Sequence, residues 1–115
     1  MPYAVVDADA VEAEREGRIR RMRTALGVSA FGINLLHLAP GQSGTEHDES
    51  ATGQEEVYVV LEGSGSVVVD GDEVPLAPGR YVFVPPGTMR QLRAGAEGLT
   101  WIGVGCQPGS YRPRT

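Results

Sequence analysis

Glycine and proline recur at short intervals along most of this chain, and their spacing limits what the chain can fold into. The 115 residues include 16 glycines and 8 prolines, spread along the sequence rather than gathered in a linker. Between them lie short runs rich in β-branched and aromatic side chains, which favour extended strands. Short strands that alternate with turn signals are typical of a sandwich or a barrel. The pattern therefore predicts an all-β domain.

The turn signals also place the individual strands. Asp70-Gly71-Asp72 predicts a tight hairpin, because glycine tolerates the positive φ that such a turn needs. Residues 44–54 are polar and predict a loop. The strands are expected at residues 30–39, 55–62, 66–69, 73–76, 80–84, 88–93 and 99–104.

The first part of the chain has a different character. Val5 and Val6 are expected to form a short edge strand. The charged, alanine-rich segment 8–26 is either a short helix capped by Asp7 or Asp9, or irregular. The expected organisation is an N-terminal extension over 1–29, a barrel over 30–107 and a C-terminal tail over 108–115.

Charge and composition exclude several classes of protein. The formal net charge is −5, and the single basic cluster at 18–23 follows acidic residues at 12–16, so we expect no nucleic-acid partner. No apolar run approaches the roughly 20 residues of a membrane-spanning helix, and the first residues do not resemble a signal peptide. Cys106 is the only cysteine, which fits a reducing compartment and a small apolar residue near a strand end. A cytoplasmic location is expected.

Two segments, 41–63 and 78–90, resemble the two signature motifs of the cupin superfamily. The positions that match are Gly41, His47, Glu56 and Gly63 in the first motif, and Gly79, Pro85 and Gly87 in the second. The resemblance covers roughly residues 30 to 105. It implies a double-stranded β-helix, the jelly-roll-like cupin barrel.

The chain departs from the family pattern at two of its four metal-ligand positions. Glu49 stands where the family has its second histidine, and Arg90 stands where it has its last. Glutamate can ligate a metal through oxygen, whereas the protonated guanidinium of arginine has no lone pair to give. At most His47, Glu49 and Glu56 could therefore hold a divalent Fe, Mn, Ni or Zn ion.

Arg90 gives the site a second interpretation, in which no standard metal centre is present. Its guanidinium is expected to take the metal's place and pair with Glu56 or Glu49 across the pocket. If Arg90 is left partly free, it would receive an anionic ligand such as a carboxylate. A third alternative is that its side chain faces outward and is simply solvated.

Strand alternation predicts which side chains face the interior. Glu55 and Glu56 are neighbours, so they point to opposite faces, and the motif spacing favours Glu56 as the inward one. Tyr58 and Val60 share its face, with Tyr58 either a pocket wall or a core residue bonded to backbone.

Four further residues have less specific expectations. Asn34 could supply a polar group to the pocket, and Trp101 and Phe83 are expected in the core or the pocket lining. His37 is expected to be packed or at an interface, without a ligand role.

The sequence leaves three functions open. The first is a module that binds a small, anionic or neutral molecule through Arg90, Tyr58, Glu56 and His47, without a cofactor. The second is a metal-dependent enzyme of dioxygenase, isomerase or decarboxylase type that uses His47, Glu49 and Glu56. The third is a structural role with a filled interior. A homodimer is expected, because small cupins pair through a sheet face or exchanged N-terminal strands and the apolar Ala4-Val5-Val6 needs an edge to pair with.

Overall fold

Residues 3–114 are described by the computed structural model, and strands account for most of their regular structure. A single turn of 3₁₀ helix covers Ala8–Ala10, and one short helix, α1, covers Met22–Leu26. The strands are β1 Ala13–Glu14, β2 Ile19–Arg21, β3 Gly32–Leu38, β4 Glu55–Val69, β5 Asp72–Leu76, β6 Tyr81–Val84 and β7 Arg90–Cys106.

The two longest strands, β4 and β7, pair antiparallel and form the centre of the fold. The sheet runs in the order β1-β2-β3-β7-β4-β5, and β6 pairs with β4 beside this path. Every neighbouring pair of strands is antiparallel. The all-β prediction is confirmed.

Four of the predicted strands are halves of these two long ones. The expected strands 55–62 and 66–69 belong to β4, which has irregularities between Val60 and Glu62 and between Gly63 and Gly65. The expected strands 88–93 and 99–104 belong to β7. A Cβ at Gly63 would overlap the carbonyl oxygen of Gly98, and φ at Gly63 is +90°. This glycine therefore allows a close approach of two strands rather than a turn.

The N-terminal expectations are wrong in detail. Val5 and Val6 do not form a strand, and segment 8–26 is not one helix. Strands β1 and β2 form a hairpin within it, between the 3₁₀ turn at Ala8–Ala10 and the short helix α1 at Met22–Leu26. Arg15 and Glu16, both at positive φ, reverse the chain. The strand pairing of β2 with β3 then outweighs the helix propensity of this segment.

One face of the sheet forms the hydrophobic core. Its fully buried members are Leu38, Tyr58, Val60, Val67, Leu76, Val84, Leu92, Leu99 and Trp101. Phe83 is not among them, contrary to expectation, because it lies on the other face and is exposed, and His37 is exposed as well. In residues 3–114, no helix is long and apolar enough to cross a membrane.

Candidate functional site

A cavity of about 660 Å³ lies over the face of the sheet formed by β2, β3, β7 and β4. The strand register brings Arg21 opposite Asn34, Asn34 opposite Gly103, and Gly103 opposite Tyr58. Directly opposed residues share a face, and all four of these line the cavity. The third expected function, a filled interior, therefore does not fit this structure.

Two glycines of β7 keep this cavity open. Gly103 and Gly105 lie in the middle of its floor, two residues apart and on the same face. A Cβ on Gly103 would stand 3.1 Å from Leu36 Cδ1, and one on Gly105 would stand 2.8 Å from Gln54 Oε1. Sequence reasoning did not single them out. The signal was present as alternating glycines inside an otherwise apolar strand.

Loop 44–54 brings His47 to the cavity wall. The backbones of His47 and Arg90 exchange hydrogen bonds of 3.0 and 2.9 Å, which fixes the loop against β7. His47 Nδ1 lies 3.0 Å from the carbonyl oxygen of Thr45. Because a carbonyl only accepts, Nδ1 carries a proton and Nε2 is the nitrogen that faces the site. In the same loop, the backbone N–H and the hydroxyl of Ser50 both donate hydrogen bonds to Asp48 Oδ1. These two hydrogen bonds lower the pKa of Asp48.

Two carboxylates meet Nε2 of His47. Glu49 Oε2 lies 3.3 Å away, and Glu56 Oε1 lies 3.8 Å away. Glu56 faces the cavity, as strand alternation predicts, and Glu55 is not part of the cavity lining. The structure thus brings together three residues that the sequence singled out.

Behind Glu56 lies a completely buried arginine. The Arg90 side chain is 0% exposed, and its Nη2 lies 3.5 Å from Glu56 Oε1 and donates to the carbonyl oxygen of Pro85 at 3.3 Å. Within residues 3–114, Arg90 Nε and Nη1 have no hydrogen-bond partner. Arg90 does not line the cavity, so the alternative that it faces solvent is wrong and its contact with the site runs through Glu56.

Tyr58, two residues after Glu56 on the same face of β4, completes this network. Its hydroxyl donates a 2.7 Å hydrogen bond to Glu56 Oε1. Burial raises the pKa of Tyr58 far above its usual value, and the negative charge of Glu56 raises it further. Glu56 Oε1 therefore has a phenolic donor and a guanidinium on one side and the imidazole of His47 on the other.

Three side chains of this site, those of His47, Glu49 and Glu56, offer donor atoms of the kind that hold a divalent metal. The ligand atoms of His47, Glu49 and Glu56 all lie within 4.8 Å of one another, a spacing that a small rearrangement would turn into three coordination bonds. Imidazole and carboxylate suit Fe, Mn, Ni or Zn, and such an ion would supply Lewis-acid chemistry. Arg90 stands where a fourth ligand would be needed, and its charge opposes a dication.

The remaining candidates take structural or lining positions. Asn34 and Trp101 line the cavity, and the buried indole Nε1 of Trp101 has no hydrogen-bond partner within residues 3–114. His37 Nδ1 lies 2.9 Å from the hydroxyl oxygen of Thr100. Cys106 Sγ donates to the carbonyl oxygen of Ala30, which fits the structural role expected of it.

Comparison with known proteins decides the family. The model for the cupin domain matches residues 34–104, which is more than half of the chain. This protein belongs to the cupin family. The two motifs that carried the resemblance lie within or close to the matched segment, and His47, Glu49, Glu56 and Arg90 all fall inside it.

Solved cupin structures share the fold across most of this chain. A cupin protein from Bacteroides fragilis is 20% identical, with a TM-score of 0.84 over 100% of this chain and 92% of that one. A Cupin 2 conserved barrel domain protein from Salinispora arenicola is 23% identical, with a TM-score of 0.72 over 96% and 92%. A sugar phosphate isomerase of the cupin superfamily from Silicibacter pomeroyi is 27% identical, with a TM-score of 0.75 over 90% and 76%. No curated protein matches this chain significantly in sequence.

The raised pKa of Tyr58 predicts a loss of stability at alkaline pH. In the unfolded chain the phenol ionises near pH 10, whereas in the folded chain it keeps its proton. The unfolded state then binds fewer protons, so the contribution of Tyr58 is intact below pH 10 and falls by about 1.4 kcal/mol per pH unit above it. Denaturant titrations of the wild type and Tyr58→Phe at pH 9 to 11 measure this. A wild-type slope that Tyr58→Phe does not reduce would contradict it.

Proposed function

We propose that this cupin binds a small, anionic, hydroxyl-bearing molecule in its cavity without a standard metal centre. The observation that carries the proposal is the separation of charge along the cavity wall. Three arginines, Arg15, Arg18 and Arg21, and one carboxylate, Glu16, line it from the N-terminal hairpin, and Arg21 also pairs with Glu14 at 2.9 Å. The carboxylates of Glu49 and Glu56 line it from the β4 side. β2 and β4 are three strand spacings apart, or about 14 Å.

Each end of the cavity suits a different part of such a ligand. Guanidinium groups match the geometry of phosphate and carboxylate, so the hairpin end would hold the anionic group. Carboxylates and an imidazole accept hydrogen bonds from hydroxyls, so His47, Glu49 and Glu56 would hold the other end.

Arg90 and Tyr58 would act on the ligand through Glu56 rather than by direct contact. The guanidinium lies 3.5 Å from Oε1 of Glu56, and the phenol donates a 2.7 Å hydrogen bond to the same oxygen. Glu56 is thereby held as an acceptor that faces the cavity. The similarity to a sugar phosphate isomerase at 27% identity supports a ligand of this chemical class.

A thermal-shift series tests the proposal. Sugars of three to six carbons are compared with their phosphates and their acids, at concentrations up to 10 mM. A ligand at ten times its Kd stabilises the folded state by about 1.4 kcal/mol, or roughly 5 °C for a domain of this size. We expect at least one anionic member to reach this shift while its neutral parent does not.

Substitutions locate the binding. Arg18→Gln and Glu49→Gln should each reduce the shift, whereas Arg112→Gln in the exposed C-terminal tail should leave it unchanged. Equal shifts with neutral and anionic compounds would contradict the anionic part of the proposal. No shift across the whole series would contradict the binding of this ligand class.

The second candidate is a metal-dependent enzyme of isomerase, dioxygenase or decarboxylase type. The specific observation in its favour is the convergence of His47, Glu49 and Glu56. With neutral His47, the lone pair of Nε2 would face two carboxylate oxygens, which a shared cation would relieve. Metal analysis of the protein purified without chelators distinguishes the two: stoichiometric Fe, Mn, Ni or Zn supports the enzyme.

A further inference from the structure

The turn between β1 and β2 holds two charged residues in an unfavourable backbone conformation. Arg15, Glu16 and Gly17 have φ values of +53°, +60° and +84°. Glycine adopts a positive φ freely, whereas residues with a Cβ rarely do, and among them Asn and Asp tolerate it best. Arg15 and Glu16 both line the cavity. The strained part of the turn is therefore also the part that borders the cavity.

The turn between β4 and β5 offers a comparison within the same chain. Its residues at positive φ are Asp70 at +50° and Gly71 at +84°, which are the residue types that such a turn favours. Neither of them lines the cavity. Backbone preference thus decides the residue types in the turn that is remote from the cavity, but not in the turn that borders it. Strain of this kind is concentrated at functional sites, where the side chain has another task.

The two side chains are not held by ion pairs within the fold. Arg15 and Glu16 are exposed, and neither forms an ion pair in the described part of the chain. The other two arginines that line this end of the cavity are engaged, because Arg21 pairs with Glu14 at 2.9 Å and Arg18 donates to a backbone carbonyl oxygen at 3.4 Å. Salt bridges therefore do not explain why arginine and glutamate occupy this turn.

We propose that Arg15 binds the anionic group of the ligand and that Glu16 excludes ligands with a second one, an inference that rests on the ligand class proposed above. A guanidinium without a counter-charge in the protein matches phosphate or carboxylate. The carboxylate of Glu16 stands beside it, and those of Glu49 and Glu56 line the other end. A second anionic group would meet like charge at either end, and such repulsion is an effective source of specificity. The ligand class is thereby narrowed to polyhydroxyl molecules with a single anionic group.

Replacing Arg15 with asparagine should have two opposite effects. The melting temperature of the ligand-free protein should rise by about 3 °C, because asparagine tolerates the positive φ better. Binding of a hexose monophosphate or of gluconate should weaken about tenfold, because a charge-assisted hydrogen bond is lost. Arg15→Lys keeps both the charge and the strain, so it should retain the wild-type melting temperature and most of the affinity. A merely solvated arginine would give the first effect of Arg15→Asn without the second.

The role of Glu16 is tested with probes that differ in their number of anionic groups. A hexose monophosphate is compared with a hexose bisphosphate, and gluconate with glucarate, by isothermal titration calorimetry. The wild type should prefer the member of each pair with one anionic group. Glu16→Gln should raise the affinity for the other member about threefold relative to its partner, since the repulsion at this exposed position is screened by solvent.

Asp70→Asn is the matched control, because it changes a residue at positive φ that does not line the cavity. It should leave the affinities for all four probes unchanged. Arg15→Asn with wild-type affinity or without a rise in melting temperature, a wild type that prefers the doubly anionic probes, or Glu16→Gln with unchanged selectivity would each overturn this inference while the binding of anionic ligands still stands. A wild type that binds none of the four probes would overturn the proposed function as well.

Discussion

Replacing Glu56 with leucine is expected to lower the free energy of unfolding by about 3 kcal/mol, because it leaves the buried guanidinium of Arg90 without its counter-charge. Glu56 is the carboxylate within 4 Å of Arg90, whose side chain is 0% exposed. Arginine cannot relieve the penalty by losing its proton. The hydroxyl of Tyr58 also loses its acceptor.

Urea denaturation of the wild type and four variants measures this effect. Glu49→Leu is the matched control, because Glu49 has a similar exposed fraction, 22% against 19%, and contacts His47 but forms no ion pair with Arg90. Glu49→Leu should lower the free energy of unfolding by less than about 1 kcal/mol. Arg90→Met removes the buried charge itself, so it should lower the free energy of unfolding only slightly. Adding Arg90→Met to Glu56→Leu should then recover most of the lost stability.

The double-mutant cycle isolates the pair from other consequences of the substitutions. We expect a coupling free energy of about 2 kcal/mol between residues 56 and 90. A coupling near zero, with Glu56→Leu no more destabilising than Glu49→Leu, would mean that the Arg90 charge is compensated elsewhere. The proposal that Arg90 holds the carboxylate of Glu56 in its position facing the cavity would then be wrong.

The sequence predicted those parts of the molecule in which local spacing and tertiary structure agree. The strict period of two in a strand placed Glu55 and Glu56 on opposite faces, and the motif spacing then identified Glu56 as the one that faces the cavity. The motif positions of His47, Glu49 and Glu56 predicted side chains that the structure brings within 4.8 Å. The motif positions predict this site because the hairpin and loop geometry of the fold fixes where the three residues meet.

Other features depend on long-range contacts that local sequence does not report. The segment 8–26 has helix-forming composition, yet β2 pairs with β3, which lies beyond it in the chain. The outward position of Phe83 could not be separated from an inward one, because β6 has only four residues, Tyr81–Val84, and both faces carry large apolar side chains. Arg18 and Arg21 of the basic cluster at 18–23 line the cavity because β2 pairs with β3, which local sequence does not report.

Arg90 connects the stability of this cupin to the chemistry available at its site. A buried guanidinium 3.5 Å from Glu56 supplies, within the chain itself, the positive charge that a metal would otherwise supply to the same carboxylate. His47 and Glu56 therefore keep their placement without an ion. The same charge makes the three-residue set a poor site for a dication.

Substituting Arg90 with histidine is accordingly expected to create a metal site, with affinity for Ni²⁺ or Zn²⁺ at least a hundredfold higher than in the wild type. The change removes a positive charge beside Glu56 and adds an imidazole at the position where the cupin motif has its last histidine. The three ligand atoms of His47, Glu49 and Glu56 already converge. The variant would thus complete a four-ligand set of two imidazoles and two carboxylates.

Isothermal titration calorimetry of the metal-free proteins measures the affinities, and two controls separate charge from ligation. Arg90→Met removes the charge without adding a ligand, so its affinity should lie between those of the wild type and Arg90→His. Glu49→Gln in the Arg90→His background should lose most of the gain, because it removes one of the four ligands. If the wild type already binds either ion as tightly as Arg90→His, the guanidinium does not oppose a metal. The metal-dependent enzyme would then become the better account of the site.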